Sequence, residues 1–308
     1  MAMEELGYQP NAVARSLRRK KTHTIGMIVP DSTNPFFAEV ARGIEDTSFE
    51  HGYSVILCNS DGDLSKELLY TNVLVERQAD GILFLAAGDA SIEHVLGLQA
   101  RRIPLVVMDR DISGAAVDTV LTDNAQGGWQ ATHHLVYLGH QRIGCITGPS
   151  NLTPSADRFA GYQGALRESN IALDETLVIQ GDFQYEGGYQ AAQKLLALTN
   201  PPTAIFACND LMAIGAISAA IELGLQVPRD LSVIGFDDIR LASFTNPPLT
   251  TVVQPKYEMG VLATRLLFER MDKRDLPPRR QLLETALVIR RSTAAPKARG
   301  SFRRGADA

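Results

Sequence analysis

Short runs of β-branched and other apolar residues alternate along the chain with longer stretches whose apolar positions recur at helical spacing. Thr24–Val29, Ser54–Asn59, Gly81–Ala86, Leu105–Met108, Thr119–Thr122, Arg142–Ile146, Leu177–Gln180, Ala204–Cys208 and Leu231–Gly235 read as strands. Helices fill the gaps between them. After the first strand, Asn34 supplies an N-cap and Pro35 the first helical residue; Phe37, Val40, Ala41, Ile44 and Ser48 then make one face. Three helical segments end in glycine, at Gly52, Gly139 and Gly224, the residue that adopts a left-handed stop without strain.

Alternating strands and helices predict an α/β protein: parallel sheets covered on both faces, with a right-handed crossover at each step. The rhythm outruns one sheet and restarts near Asn124, where Asn-Ala-Gln-Gly-Gly opens a helix over Trp129–Leu138. Two doubly wound parallel-sheet lobes follow: residues 24–123 with 254–281, and residues 124–253 with 282–291. The segment Leu249–Gln254, a helix over Tyr257–Arg270 and a strand over Gln281–Ile289 return to the sheets and cross between lobes. Residues 292–308, rich in Ala, Gly, Arg and Ser, are expected to form a disordered tail.

A chain of 308 residues with 45% apolar content can bury two cores. Its net charge of −5 is unevenly spread. Five cations, Arg15, Arg18, Arg19, Lys20 and Lys21, fall in seven residues, and no carboxylate lies between Glu5 and Asp31. Without residues 1–24 the body holds 25 Lys/Arg against 33 Asp/Glu, a net −8 that repels nucleic acid. On charge alone the arm is a solvated basic tail. Asn11 as N-cap, with Val13 and Leu17 four residues apart, makes it also a short helix that needs a partner surface, of the kind that wedges a side chain into a DNA minor groove. No apolar run reaches the roughly 18 residues of a membrane span, and a signal peptide's apolar core is lacking, so a cytoplasmic protein is expected. Cys58, Cys145 and Cys208 sit in separate apolar runs without metal or redox spacing and read as buried free thiols.

Function in doubly wound folds gathers at the carboxyl ends of strands, here facing one another across the cleft between lobes. Asn34, Phe36 and Phe37 follow the first strand; Asp109 and Arg110 follow the fourth; Arg158, Phe183, Asn209, Asp237 and Gln254 follow or end later ones. Amide, carboxylate and guanidinium groups each engage two adjacent hydroxyls, while aromatic rings cover the C–H faces of a sugar. Together they describe a site for a neutral polyol, although Asn209 could equally cap a helix and Phe36 or Phe37 could be core. Nucleotide-binding and hydrolase signatures are absent, and the adjacent His133 and His134 point about 100° apart on a helix, poorly placed to share a metal. Neither catalysis, cofactor nor metal is expected.

Residues 8–17, Tyr-Gln-Pro-Asn-Ala-Val-Ala-Arg-Ser-Leu, resemble the hinge helix of LacI-family transcriptional repressors. The resemblance extends through Ile-Val-Pro-Asp-Ser-Thr-Asn-Pro-Phe-Phe at 28–37, Met-Asp-Arg at 108–110, Ser-Ala-Asp-Arg-Phe-Ala-Gly-Tyr at 155–162, Cys-Asn-Asp-Leu-Met-Ala-Ile-Gly at 208–215 and Val-Ile-Gly-Phe-Asp-Asp at 233–238. It implies lobes of periplasmic-binding-protein type behind a short N-terminal hinge helix, residues 1–23 being the remnant of a headpiece. The helix-turn-helix would precede this segment, where only Met1–Leu6 stand. The family pattern places DNA contacts on Asn11, Ala14, Arg15, Leu17 and Arg18, with Leu17 as the intercalating residue. In its ribose-binding branch the effector residues correspond to Asn34, Phe36, Phe37, Asp109, Arg110, Arg158, Phe183, Asn209, Asp237 and Gln254. One departure is Ala86-Ala87, where that branch has an asparagine; Lys256 also leaves room for an anion. The resemblance therefore implies a repressor that binds operator DNA, is controlled by a monosaccharide of the pentose class and has no membrane partner. A solute-binding receptor and a sugar-acting enzyme are the alternatives. A homodimer is expected, through apolar residues of the first helix and Leu241, Ala242 and Phe244.

Overall fold

The computed structural model describes residues 21–297. The expected hinge helix and its DNA contacts Asn11, Ala14, Arg15, Leu17 and Arg18 lie outside the described residues. In chain order the elements are β1 (Thr24–Val29), α1 (Pro35–Glu50), β2 (Ser54–Asn59), α2 (Leu64–Glu76), β3 (Gly81–Phe84), α3 (Ile92–Ala100), β4 (Leu105–Met108) and β5 (Asp118–Thr122). Then come α4 (Asn124–Tyr137), β6 (Ile143–Thr147), α5 (Thr153–Glu168), β7 (Val178–Gln180), α6 (Tyr185–Leu196), β8 (Ala204–Ala207), α7 (Asp210–Glu222), β9 (Ser232–Asp237) and β10 (Thr250–Val253). Last are α8 (Lys256–Asp272), β11 (Arg280–Leu283) and β12 (Ala286–Val288).

One unit runs to Leu121 and takes in Lys256–Leu282; the other is Thr122–Pro255 with the chain from Leu283 on. Each holds one sheet. The first has the order β11-β5-β4-β3-β1-β2, the second β12-β10-β9-β8-β6-β7. Pairings among β1 to β5 and among β6 to β10 are parallel, and β12 runs antiparallel to β10. Helices on both faces make the inner strands continuously apolar: Ile25 to Val29, Ile82 to Phe84 and Ile205 to Ala207 are all buried. In each sheet the winding reverses once, between β1 and β3 and between β6 and β8. Those two points part neighbouring loops and open a crevice at the carboxyl ends of the strands.

Helix starts follow local chemistry. Asn34 accepts from the Phe36 amide, Asp63 from those of Ser65 and Lys66, Asp123 from Gln126, and Asn209 from Met212. Gly52, Gly139 and Gly224 have φ of 73°, 98° and 75°, as the helix stops require. Helix α4 begins five residues before the expected Trp129, because Asp123 caps it and because Gly127 and Gly128 are packing residues inside the helix. A Cβ on Gly128 would stand 2.2 Å from the Arg158 carbonyl oxygen, and one on Gly161 2.2 Å from that of Ala125. The same reciprocal contact joins α1 to α8 through Gly43 and Gly260, and α6 to α7 through Gly188 and Gly215.

Two expectations are corrected. Gln281–Ile289 is not one strand: β11 ends at Leu283 in the first sheet and β12 begins at Ala286 in the second, so the chain changes units between them. The disordered tail cannot start at residue 292. Ser292 is wholly buried, exchanges bonds with Val233 and receives the Thr250 amide at 2.8 Å; the Ala294 carbonyl oxygen accepts from Ser232, and Lys297 pairs with Asp230. Backbone and hydroxyl groups, not apolar side chains, fix this strap, and composition does not register them. Cys58, Cys145 and Cys208 are buried free thiols.

The glycine contacts set two substitutions apart by sign. Gly161→Ala forces a methyl onto backbone atoms of α4 and is expected to cost at least about 2 kcal/mol. Gly97→Ala on α3, where an added Cβ meets nothing within 4 Å, is expected to gain about 0.5–1 kcal/mol from helix propensity. Urea unfolding of both variants measures the difference; equal effects would mean that α4 and α5 can slide apart.

Candidate functional site

In the second unit the strand-end groups assemble around Arg158, on the second turn of α5. Its side chain is buried, lies 3.9 Å over the ring of Phe236 and reaches across the β6/β8 reversal. Nε donates to Asn124 Oδ1 at 2.8 Å and Nη1 to the Cys208 carbonyl oxygen at 2.6 Å, with Asp237 Oδ1 3.4 Å from Nη1. Nη2 has no partner among the described residues. A guanidinium anchored through Nε and Nη1 can still donate from Nη2 to an acceptor outside the chain.

Asp237 is the last residue of β9 and not, as expected, two residues beyond its strand. It has φ 110°, and Asp238 after it φ 53°. Gln254 donates from Nε2 to Asp237 Oδ1 at 2.6 Å, and its Oε1 is buried without a hydrogen-bond partner. This turn is held from beneath by Asp210, fully buried, whose carboxylate accepts from the Ile239 amide at 2.8 Å and from Thr251 Oγ1 at 2.5 Å. Burial, with the Asp237 charge second, pushes the Asp210 carboxyl well above the ordinary carboxylate range. Phe183, at φ 66°, lies 5.8 Å from the Arg158 guanidinium with its ring seated on Gly148, where a Cβ would come within 2.2 Å of Cζ. Asn209 serves structure at both ends of its amide: Oδ1 caps α7 and Nδ2 donates to the Phe183 carbonyl oxygen at 2.8 Å.

The first unit carries its own set around the β1/β3 reversal. Asn34 caps α1 through Oδ1, and its Nδ2 has no partner among the described residues. Phe36 and Phe37 meet edge to face at 5.1 Å and are nearly buried, Phe37 lying 6.0 Å below the Arg110 guanidinium. Asp109, after β4, has φ 63° and holds Oδ2 3.6 Å from Arg110 Nε. Arg110 also spends Nη1 on the Ala86 carbonyl oxygen at 2.7 Å. Lys256 Nζ is buried and 3.5 Å from Glu39.

Both units share a pattern. Asp109, Phe183, Asp237 and Asp238 all occupy the left-handed region at strand ends, where non-glycine residues are strained and where functional sites concentrate such strain. Sequence reasoning missed Asn124 and Phe236 and, while noting Asp210 at a strand end, did not assign it a role; all three position the predicted residues. Asn124 directly follows the capping Asp123, and Asp210 follows Asn209, so both read as parts of helix starts.

Comparison with known proteins follows the same lines. Residues 132–293 match the periplasmic binding protein-like domain. Over 293 residues the chain is 41% identical to the HTH-type transcriptional repressor PurR of Photobacterium profundum, covering 94% of this chain and 87% of that protein. It is 40% identical over 291 residues to the ribose operon repressor of Escherichia coli (strain K12), covering 94% and 88%. Among solved structures, a LacI family transcriptional regulator from Enterococcus faecium with bound ribose superposes with a TM-score of 0.81 at 34% identity, covering 89% of this chain and 100% of that one.

The two roles of Asn209 separate experimentally. Asn209→Ser keeps a capping oxygen but cannot reach Phe183, so the urea midpoint is expected to hold while amide exchange over residues 181–185 rises. Asn209→Ala is expected to lose about 1 kcal/mol of stability as well. Unchanged exchange in both variants would reduce Asn209 to a cap.

Proposed function

Because the chain belongs to the LacI family of transcriptional repressors, we propose that it is a DNA-binding repressor whose operator affinity is set by a neutral monosaccharide of the pentose class. The effector-binding groups are Asn34, Phe36, Phe37, Asp109 and Arg110 in the first unit, and Arg158, Phe183, Asn209, Asp237 and Gln254 in the second. Arg158 carries this reading. Its free Nη2 offers donors, the unpaired Gln254 Oε1 offers an acceptor, and Asp237 lies beside both. Hydroxyl groups, which donate and accept at once, satisfy all three.

Charge balance favours a neutral ligand over an anion. Arg158 faces Asp237, Arg110 faces Asp109, and Lys256, the residue that left room for phosphate, faces Glu39. Each buried cation already has its counter-charge. The name of the ribose operon repressor and the ribose bound to the solved relative support a pentose; purines are the rival class. DNA contact is assigned to Asn11, Ala14, Arg15, Leu17 and Arg18, and a solute receptor would have no use for the cations between Arg15 and Lys21. No helix among the described residues is long and apolar enough to cross a membrane. The ligand shifts DNA affinity only by binding one state of the repressor more tightly than the other.

Dimerisation belongs to the same proposal, with a corrected surface. Ala242 is wholly buried, and on the first helix Phe36, Phe37, Val40 and Ile44 all face inward, leaving Phe49 as its one large exposed apolar residue. In the first unit exposed apolar residues gather on the edge strand β2 and on α2, at Ile56, Leu57, Leu68, Leu69 and Val73; in the other unit Leu241 and Phe244 are exposed as expected, among others such as Tyr137 and Ile221. A second copy would cover the first patch and protect the β2 edge.

Calorimetric titration with ribose, glucose, ribose 5-phosphate, adenosine and adenine tests the effector. Ribose is expected to bind. Arg158→Lys keeps the charge but cannot reach Asn124, Cys208 and a ligand together, and should weaken binding tenfold to a hundredfold, about 1.4–2.8 kcal/mol. Heat from adenine alone would overturn the sugar assignment. For assembly, light scattering at micromolar concentration should give twice the chain mass, and Leu57→Lys with Leu69→Glu should halve it. A wild-type chain of single mass would refute the dimer.

A further inference from the structure

Resting on the effector reading above, we propose that Glu67 is a positioning residue for ligand binding: with Ser91 and His94 it fixes the loop Ala86–Gly88 after β3 in the form that meets the effector. Glu67 lies in the first turn of α2, where a carboxylate behind the capping Asp63 would ordinarily be solvated. It is wholly buried instead. Its Oε2 accepts the Ala87 amide at 2.8 Å and its Oε1 pairs with Nδ1 of His94 on α3 at 2.6 Å.

The loop it holds is central to the first unit's set. Strand β3 lies between β1 and β4, whose following loops carry Asn34, Phe36 and Phe37 on one side and Asp109 and Arg110 on the other. The Ala87 amide has a second acceptor in Ser91 Oγ at 3.1 Å, and the Ser91 amide donates to the Gly88 carbonyl oxygen at 3.0 Å. From the opposite side Arg110 Nη1 holds the Ala86 carbonyl oxygen at 2.7 Å. The Ala86–Ala87 peptide group is thus pinned at both its carbonyl oxygen and its amide, the Gly88 carbonyl oxygen is held by Ser91, and Gly88 turns the chain away at φ 150°.

Such over-determination makes sense where backbone, not side chain, is presented. This loop has alanines where an asparagine would bring its own hydrogen bonds, so it shapes the ligand only through where its methyl groups and peptide planes stand. A buried carboxylate on the preceding helix, α2, sets that position. Tying α2 to α3 would need only the bond to His94; the bond to Ala87 adds the loop.

Glu67→Met removes both acceptors at matched length. Glu67→Gln keeps an oxygen for the Ala87 amide and supplies an NH2 group for His94 Nδ1. Calorimetry with ribose is expected to show at least about tenfold weaker binding for Glu67→Met and less than threefold change for Glu67→Gln. Amide exchange of the ligand-free proteins over residues 84–91 should rise in Glu67→Met and stay at the wild-type level in Glu67→Gln. Should Glu67→Met fail to fold, Ser91→Ala is expected to raise exchange over the same segment and weaken ribose binding by a smaller factor. Unchanged loop exchange in the removing variant, or equal damage in Glu67→Gln and Glu67→Met, overturns the proposal. If wild type takes no ribose while the exchange pattern holds, the loop clamp stands and the sugar assignment falls.

Discussion

The contact between Gly128 and Gly161 sets the geometry on which the second unit depends. Helices α4 and α5 approach until the backbone of one touches the backbone of the other, which any Cβ at either position would prevent. That approach brings the Arg158 carbonyl against α4 and its guanidinium within 2.8 Å of Asn124 at the head of the same helix. From there Arg158 reaches Cys208 and Asp237, so one steric constraint between helices fixes a donor array at the strand ends. The reciprocal glycines in α1 with α8 and in α6 with α7 repeat the device. Bringing helices this close gains dispersion contacts along their length and leaves little freedom for sliding.

Positional accuracy then appears as strain. Asp109, Phe183, Asp237 and Asp238 hold left-handed dihedrals that cost on the order of a kcal/mol each, more for a bulky ring such as Phe183. The offsetting bonds are identifiable. Asn209 holds the Phe183 carbonyl, Gln254 holds Asp237, Arg290 pairs with Asp238, and Val120 accepts the Asp109 amide. Asp210 braces the Asp237 turn while its own carboxyl is shifted toward the protonated form by burial.

The fold was legible because its signals are local. β-branched runs, Asn34-Pro35 at a helix head and glycine at helix ends are each read within a few residues, and strand ends then locate the candidate groups without any knowledge of contacts. What stayed hidden depends on partners distant in sequence. Glu67 meets His94 twenty-seven residues on, and nothing in its helix marks it as buried. Ser292 is ordered by Val233 and Thr250, through a hydroxyl and backbone bonds that a low apolar content conceals. Gly127 and Gly128 look like a turn ahead of a helix because glycine's cost in helices is intrinsic, while its benefit depends on where Phe236 and Arg158 lie.

Helix capping also orients the side-chain amides at the strand ends, so the units combine firm placement with available polar groups. Asn34 and Asn209 each commit Oδ1 to the first free amide donors of a helix, and that bond locks the side-chain rotamer. The Nδ2 end is then aimed by the helix itself. In Asn209 it goes to Phe183; in Asn34 it remains unspent among the described residues. A group oriented in this way loses little entropy on meeting a ligand, because its ordering was completed when the helix formed. Arg158 follows the same logic with a larger side chain: two of its three nitrogens are anchored by protein, and the third is thereby pointed. In Asn34 and Arg158, unlike Asn209, the bonds that the fold needs leave one polar end of the side chain unspent among the described residues and fix where it stands.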